Sequence, residues 1–335
     1  MDNEAESAAD IRRSALSVNS AKFLQFVFCS ALVYYLLLRQ IGVSNLIPPI
    51  GRFSLVEWIW PCLLSLVSFG LRFLRWDLIL RQRGISVPPS KGVLYYFSGF
   101  LFTLTPGKSG ELIRLWYLSS RHGVSWKLSF PAFVLEQIFD VLALGFVGFS
   151  FLSAPAFQYV RGHVVFNDSL IPLVGAAIFL LCVVSWFVTR RLSALSARMV
   201  LSRLLTRYPR LRPLFSARFS MREALIWIAI GMVAWSIQMC GLSLILSGLG
   251  TPLALTSCVG IYATSLALGA LSFVTGGLGT TEAIFGWLLV NAGLQTGIAV
   301  SAVTVVRLSS LGLAIVLGGM CYAFVTFSRT SQGAP

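Results

Sequence analysis

Charged residues are scarce in this sequence: Asp, Glu, Lys and Arg make up 11% of its 335 residues, whereas hydrophobic residues make up 56%. The mean hydropathy is +0.82, well above that of a soluble domain. Apolar runs of about 20 residues, the length that crosses a bilayer, recur from Phe23 almost to Phe327. The composition leaves no room for a soluble domain and predicts an all-α polytopic membrane protein.

Residues that bind metals or cofactors are also scarce. The two histidines, His122 and His163, have no ligand partner nearby, and the six cysteines lie singly in apolar runs without CxxC spacing. This pattern excludes a zinc site and predicts neither metal nor cofactor. A Walker A loop is excluded as well, because Phe102 stands where it needs a glycine five residues before Gly107.

Acidic residues are outnumbered, which gives a net charge of +14. The basic residues lie in short loops between apolar spans rather than on one soluble face, so the charge indicates topology and not nucleic-acid binding. The segment 189–222 is rich in arginine, contains no acid and is predicted to be cytoplasmic, facing an anionic lipid surface. Its arginines are Arg190, Arg191, Arg198, Arg203, Arg207, Arg210, Arg212, Arg218 and Arg222.

The domain organisation follows from these features. Residues 1–20 are polar, carry four acids and are expected to form a disordered cytoplasmic tail rather than a signal peptide. Residues 21–328 form a single transmembrane domain, and 329–335 form a C-terminal tail. We expect a multi-pass protein of the inner membrane with both termini in the cytoplasm.

Six uninterrupted spans are predicted, at 23–39, 55–75, 129–153, 170–188, 223–248 and 298–326. Two further apolar segments are interrupted by glycine-rich turns: 93–117 by TPGKSGE and 253–289 by TGGLGTTE. Basic residues flank both ends of the first segment, so we expect a re-entrant hairpin entering from the cytoplasm. Counting spans puts the second hairpin on the outside. The prediction is six full spans plus two re-entrant hairpins in an inverted repeat, with eight or more full spans as the alternative.

The two turns have a similar sequence and spacing. Glu111 and Glu136 are separated by 136 − 111 = 25 residues, and Glu282 and Arg307 by 307 − 282 = 25. Paired glycine-interrupted segments in two halves of a membrane protein indicate a substrate site between the halves.

The first turn is predicted to bind an anion such as a lipid phosphate. Glycines and Pro106 break the helix, and the helix that restarts directs its free N–H groups into the membrane. Lys108 adds a charge suited to phosphate, and Arg114 is expected nearer the headgroups. Glu111 and Glu282 are also expected to stabilise the first turns of their helices. The candidate residues of the two turns are Thr105, Pro106, Gly107, Lys108, Gly110, Glu111, Arg114, Gly276, Gly277, Gly279 and Glu282.

Two carboxylates complete the candidate site. Glu136 and Asp140 are four residues apart on one face of an apolar helix and need a polar cavity or a cation. We expect Arg307 to be that counter-charge, with Arg72 and Arg75 as competitors. Arg72, Arg75 and Trp76 are otherwise expected to anchor a span end at the interface. A purely structural ion pair between the two halves is the alternative.

The sequence TPGKSGELIR, the Glu136–Asp140 pair, GGLGTTEA and Arg307 resemble the flippase-like family typified by the transmembrane region of lysylphosphatidylglycerol synthases. The resemblance covers residues 20–327. Two positions depart from the family pattern: Gln137 stands in place of an arginine and Thr275 in place of a proline.

The resemblance implies a domain that moves a lipid with a polar headgroup between leaflets, or holds it for a synthase. The cargo would be a phospholipid, a hopanoid or a polyprenyl-linked glycolipid, and lipid-synthesis enzymes would be partners. The soluble aminoacyl-transferase domain of the synthases is not part of this sequence. Two alternatives remain: an intramembrane headgroup transferase with Glu136 or Asp140 as general base, and a non-transporting scaffold of a lipid-synthesis complex.

Overall fold

The computed structural model describes residues 54–103, 105, 110–152, 221–271, 277 and 279–327, and this part of the chain contains helices and no strand. Several predicted segments lie outside the described residues. They are the tail 1–20, the spans 23–39 and 170–188, almost all of the arginine-rich segment 189–222, and the tail 329–335.

The first half begins with α1, Leu55–Gln82, which Ser54 and Glu57 start with a capping box. Next come α2, Pro89–Ser98, which extends into a 3-10 turn at Gly99–Phe102, and α3, Ile113–His122. Helix α3 ends at Gly123, whose φ of 65° is the left-handed conformation of a helix C-cap. The half closes with α4, Trp126–Leu152.

The second half repeats this order of a long helix, two arms around a glycine turn, and another long helix. It comprises α5, Met221–Gly248; α6, Leu255–Leu271; α7, Thr280–Asn291; α8, Thr296–Arg307; a π-helical segment, Leu308–Gly312; and α9, Leu313–Phe327. Helix α8, the π segment and α9 form one continuous rod.

Three described helices are long and apolar enough to cross a membrane: Leu128–Gly148, Arg222–Gly248 and Thr296–Phe327. They coincide with the predicted spans at 129–153, 223–248 and 298–326. Helix α1 has 28 residues but also carries Arg72, Arg75 and Asp77, so it is less apolar. These helices indicate a multi-pass membrane protein.

The first hairpin consists of α2 and α3, which run antiparallel on the two sides of the first glycine turn. The rings of Tyr95 and Tyr117 stack with centroids 5.1 Å apart, and the Tyr95 hydroxyl lies 3.3 Å from Nε2 of His122. Each helix has ten residues and is therefore about 15 Å long. Neither arm alone spans a hydrocarbon core of about 30 Å.

The second hairpin consists of α6 and α7, with 17 and 12 residues. The rings of Tyr262 and Phe285 stack with centroids 5.0 Å apart. Close to the turn, a side chain added at Gly269 would overlap the Thr281 hydroxyl, so glycine is needed where the two arms converge.

Each hairpin packs against the long helix of the other half. Helix α6 packs along α4, whereas α2 and its 3-10 turn pack along α9. At the second contact, a methyl group added to Gly318 would overlap the backbone N of Leu101 and would lie 3.0 Å from the carbonyl O of Phe97. Between these crossed contacts, α1 and α5 pack against each other.

The π segment orients the rod toward both hairpins. Arg307 and Gly318 are 318 − 307 = 11 residues apart, about three turns of an α-helix, and would share a face in a regular helix. The wider turn between them rotates the two positions apart. Arg307 therefore faces the second hairpin while Gly318 faces the first.

The hairpins open toward opposite ends of the bundle. Helices α1 and α5 are antiparallel, since Ser68 contacts Gln238 and Arg75 lies at Gly231. The end of α3 meets the end of α9, where Nη2 of Arg121 donates to the Val325 carbonyl at 2.7 Å. The open end of the first hairpin, opposite its turn, therefore lies where α1 and α9 finish. The open end of the second hairpin lies where α5 finishes.

The two ends differ in charge. Basic residues collect at the end where the first hairpin opens; these are Arg81, Arg83, Lys91, Arg121 and Arg222. At the opposite end, the described residues of the helix termini and loops include only Glu57 as a charged residue.

Candidate functional site

The acidic residues of α4 organise two buried clusters. In the first, the Arg114 guanidinium from α3 donates through Nη1 to both carboxylate oxygens of Glu136, at 2.9 and 3.1 Å. The same guanidinium also pairs with Glu111 through Nη2. Tyr96 from α2 donates its hydroxyl to Glu136 at 3.2 Å, and its ring centroid lies 4.5 Å from the Arg114 Cζ atom. All four side chains are buried.

The second cluster repeats this arrangement one turn along α4. Nη2 of Arg75 donates to Oδ1 of Asp140 at 2.6 Å, and Nη2 of Arg72 lies 3.9 Å from Oδ2. The Trp235 indole from α5 donates to Asp140 at 3.0 Å, and its ring lies 4.5 Å from the Arg72 Cζ atom. In both clusters, an aromatic residue donates to the carboxylate and also stacks on an arginine, which stabilises the buried charge.

Two expectations about these charges were wrong. Arg307 does not pair with Glu136 or Asp140; the competitors Arg72 and Arg75 hold Asp140, and Arg114 holds Glu136. Arg72 and Arg75 do not anchor an interface either, because they are 7% and 0% exposed, and Trp76 is 0% exposed. Helix α1 continues to Gln82, seven residues beyond the predicted end of the span, and this extension places the arginines inside the bundle.

Arg114 is also deeper than expected. It was predicted near the headgroups, yet it is 1% exposed and lies between the two hairpin arms and α4. A side chain at Gly99 would press on it, since an added methyl group would lie 2.9 Å from its Nε. Arg114 therefore joins the first hairpin to α4.

Arg307 pairs with Glu282 at the start of the second hairpin's α7. Nε of Arg307 lies 2.7 Å from Oε1 of Glu282, and Oε2 of Glu282 accepts a hydrogen bond from the Gly279 N–H at 2.7 Å. Gly279 adopts a φ of 82° and starts the helix without a side chain. The expectation that Glu282 stabilises the first turn of its helix is confirmed.

The described residues of the two turns show tight local geometry. The Thr105 hydroxyl accepts from the Gly110 N–H at 2.6 Å and donates to the Phe102 carbonyl at 2.8 Å. Gly277 has a φ of 67°, which favours glycine. Pro106, Gly107, Lys108 and Gly276 lie outside the described residues, so phosphate binding by the first turn remains a prediction.

All three charged groups leave some hydrogen-bonding capacity unused. In the two clusters on α4, three arginines face three carboxylates, so the formal charges cancel. The Arg307–Glu282 pair has no aromatic partner among the described ring contacts, and Nη2 of Arg307 is buried without a hydrogen-bond partner. The other two clusters also keep buried donors without a partner, so all three charged groups have spare donors; these are Nε of Arg72, Nε and Nη1 of Arg75, and Nε of Arg114.

Tyr96 and Trp235 belong to the site although neither was among the residues predicted from the sequence. Aromatic residues make up 13% of the chain, and neither lies within a motif. The available signal was a tyrosine or tryptophan inside an apolar segment, where its polar group needs a buried partner.

Residues 22–318 match the protein family described as the lysylphosphatidylglycerol synthase TM region. The match covers both glycine turns and all three charged clusters. No curated protein matches the chain.

Proposed function

Because this chain belongs to the lysylphosphatidylglycerol synthase transmembrane-region family, whose members act on membrane lipids, we propose that it moves an anionic or glycosylated lipid between the two leaflets. The family indicates a lipid as substrate. Translocation is our proposal for what the membrane domain does with that lipid.

The observation that carries this proposal is that the two hairpins open toward opposite ends of the bundle. Each pairs arms on either side of a glycine-rich turn, and each packs against a long helix of the other half. We propose that both are re-entrant and form an inverted repeat, an architecture in which substrates bind near the midplane. The end with basic residues would face the cytoplasm, by the positive-inside rule.

The crossed packing suggests how access could alternate. Each hairpin rests on a long helix of the other half, so a rotation of one half would move both glycine turns relative to the opposite long helix. A lipid headgroup would then meet one hairpin from the cytoplasmic side and the other from the outside. The acyl chains would stay in the bilayer.

The charged clusters have different roles in this proposal. The charges of the clusters around Glu136 and Asp140 cancel when the two clusters are taken together, and their ion pairs fix the first hairpin and α1 to α4. Arg307 retains an unused donor, and we propose that it binds the headgroup phosphate together with the 107–110 turn and Lys108.

The transferase alternative is less well supported by the geometry. A general base needs a carboxylate with accessible proton affinity, and Glu136 and Asp140 each bind arginine and an aromatic donor while being almost completely buried.

Reconstitution tests the proposal. Purified protein is placed in vesicles that contain a fluorescent phospholipid, and the fraction accessible to a membrane-impermeant quencher is followed over time. We expect Arg307→Gln to slow transbilayer movement at least tenfold. Arg81→Ala, at a half-exposed pair with Asp77, should leave the rate unchanged. No movement by the wild type, with any of phosphatidylglycerol, a glycolipid or a polyprenyl phosphate, would refute the proposal.

A further inference from the structure

The π segment lies beside a small polar cavity at the contact between the two halves. The cavity is lined by Pro61 and Ser65 of α1, Gln238 of α5, Tyr262 of α6, and Ser309 and Ser310 of the π segment. The space open to a water-sized sphere is about 10 Å³, close to the minimum that holds one water molecule. The cavity contains none of the charged residues described above.

Polar side chains connect four helices along one edge of this cavity. The Ser68 hydroxyl donates to Oε1 of Gln238 at 3.2 Å, Nε2 of Gln238 lies 3.5 Å from the Tyr262 hydroxyl, and that hydroxyl donates to Oγ of Ser310 at 3.4 Å. We call Ser68, Gln238, Tyr262 and Ser310 the polar seam. All three contacts are longer than the usual ranges of about 2.5–3.0 Å for O–H···O and about 2.7–3.2 Å for N–H···O bonds, so the direct bonds of the seam are weak.

The π segment determines which polar atoms face the cavity. The hydroxyls of Ser309 and Ser310 both donate to the Val306 carbonyl, at 3.2 and 2.6 Å. Because each hydroxyl has one proton, both serine oxygens can act only as acceptors toward the cavity. The oxygen of Ser310 accepts a hydrogen bond from the Tyr262 hydroxyl, whereas no described residue donates a hydrogen bond to the oxygen of Ser309.

We propose that the cavity binds one ordered water molecule, which donates to Ser309 and accepts from the Gln238 amide. Such a water would complete the polar seam and join the first half, through α1, to the second half, through α5, α6 and the π segment. A buried water normally makes about three hydrogen bonds, and Ser65 at the cavity wall offers the third.

The chemistry of the lining selects water over a cation. Divalent cations such as Ca²⁺ and Mg²⁺ require several oxygen ligands and usually a carboxylate, but no acidic side chain lines this cavity. The Gln238 amide also presents its N–H group, which repels any cation. Water can donate and accept at once, which matches a lining with both acceptors and a donor. The inference concerns a bound solvent molecule and does not depend on lipid movement.

The first measurement is a high-resolution structure of the full chain in a lipid nanodisc. We expect density for one water within hydrogen-bond distance of Ser309 Oγ and the Gln238 amide. An empty cavity, or density for a lipid or detergent group, would overturn the proposal. Replacing NaCl and KCl by choline chloride should leave the melting temperature unchanged, and a drop on cation removal would instead indicate an ion site.

A matched pair of serines provides the second measurement. Ser309→Ala removes the acceptor for the water, whereas Ser301→Ala removes a buried hydroxyl of the same rod that bonds only to the Gly297 carbonyl, at 2.8 Å. We expect Ser309→Ala to lower the melting temperature by several degrees more than Ser301→Ala, and to remove the water density. Retained density in the Ser309 variant, or equal destabilisation by both, would contradict the proposed site.

Discussion

Glu282 and Arg307 are 25 residues apart in the chain and 2.7 Å apart between Oε1 and Nε in the structure. Their counterparts in the first half, Glu111 and Glu136, have the same separation and meet on a single guanidinium, that of Arg114. In both halves, a residue at the glycine turn is therefore tied to the long helix that follows it. The ion pairs fix the depth of each hairpin relative to its own long helix.

Removing both members of the second pair should cost less than the two single removals added together. Arg307→Met leaves the Glu282 carboxylate buried without its cation, so we expect a loss of about 3–5 kcal/mol in unfolding free energy. The double variant Glu282→Gln with Arg307→Met removes both charges and should lose less than the two single variants added together. Denaturant unfolding in mild detergent measures these values.

The pair of Arg81 and Asp77, in which only the arginine is exposed, is the comparison for this cycle. Its side chains are 50% and 12% exposed, against 9% and 12% for Arg307 and Glu282. Because solvent already screens the exposed Arg81, Arg81→Ala should cost less than Arg307→Met. Strict additivity of the two substitutions at Glu282 and Arg307 would mean that the pair contributes no coupling energy.

The sequence predicted the hairpins and three of the spans because glycine turns and apolar length are local properties. It did not predict which charges meet. Arg72 and Arg75 were assigned to an interface because the apolar run ends near them, yet α1 extends to Gln82 and buries both. The distance between α1 and α4 depends on packing between helices that are far apart in sequence. The sequence alone therefore favoured Arg307, which is a lone charge in an apolar stretch. The aromatic partners Tyr96 and Trp235 were missed for the same reason.

The aromatic partners should contribute through two separable interactions. Tyr96→Phe keeps the ring beneath Arg114 but removes the hydroxyl that donates to Glu136, so we expect a loss of about 1–2 kcal/mol. Tyr96→Leu also removes the cation–π contact and should cost more. The comparison requires unfolding curves for both variants. Equal losses would show that the ring contributes nothing beyond its hydroxyl.

Adjacent glycines of α9 test the crossed packing of the halves. A methyl group at Gly318 would overlap the backbone at Leu101 and Phe100, whereas at Gly319 it would meet only Cδ1 of Leu101, at 3.8 Å. Gly318→Ala should therefore destabilise the protein by about 1–3 kcal/mol. Gly319→Ala should be neutral or slightly stabilising, because alanine favours helix. Similar melting temperatures for the two variants would contradict the close contact between α9 and the first hairpin.

His122, at the open end of the first hairpin, should make stability depend on pH. Burial lowers the pKa of the His122 imidazole, and Lys91 and Arg121 lower it further. The folded protein thus favours the neutral ring, and the resulting stabilisation is fully present above the ordinary pKa of about 6.5. This stabilisation is lost as the pH falls through the lowered pKa of His122 in the folded protein. On acidification to about pH 5, we expect the melting temperature of the wild type to fall further than that of His122→Gln. Parallel curves would exclude the effect.

The opposite openings of the hairpins predict a specific labelling pattern. Ser86 and Ser120 are exposed at the open end of the first hairpin, and Ala254 and Gln295 at that of the second. In a variant without native cysteines, single cysteines at Ser86 and Ser120 should react with an impermeant maleimide only from the cytoplasm, because basic loops stay inside. Cysteines at Ala254 and Gln295 should react only from the outside. If Ser86 and Ser120 reacted from different sides, the segment from α2 to α3 would cross the membrane once instead of turning back. The inverted-repeat proposal would then fail even if lipid movement were observed.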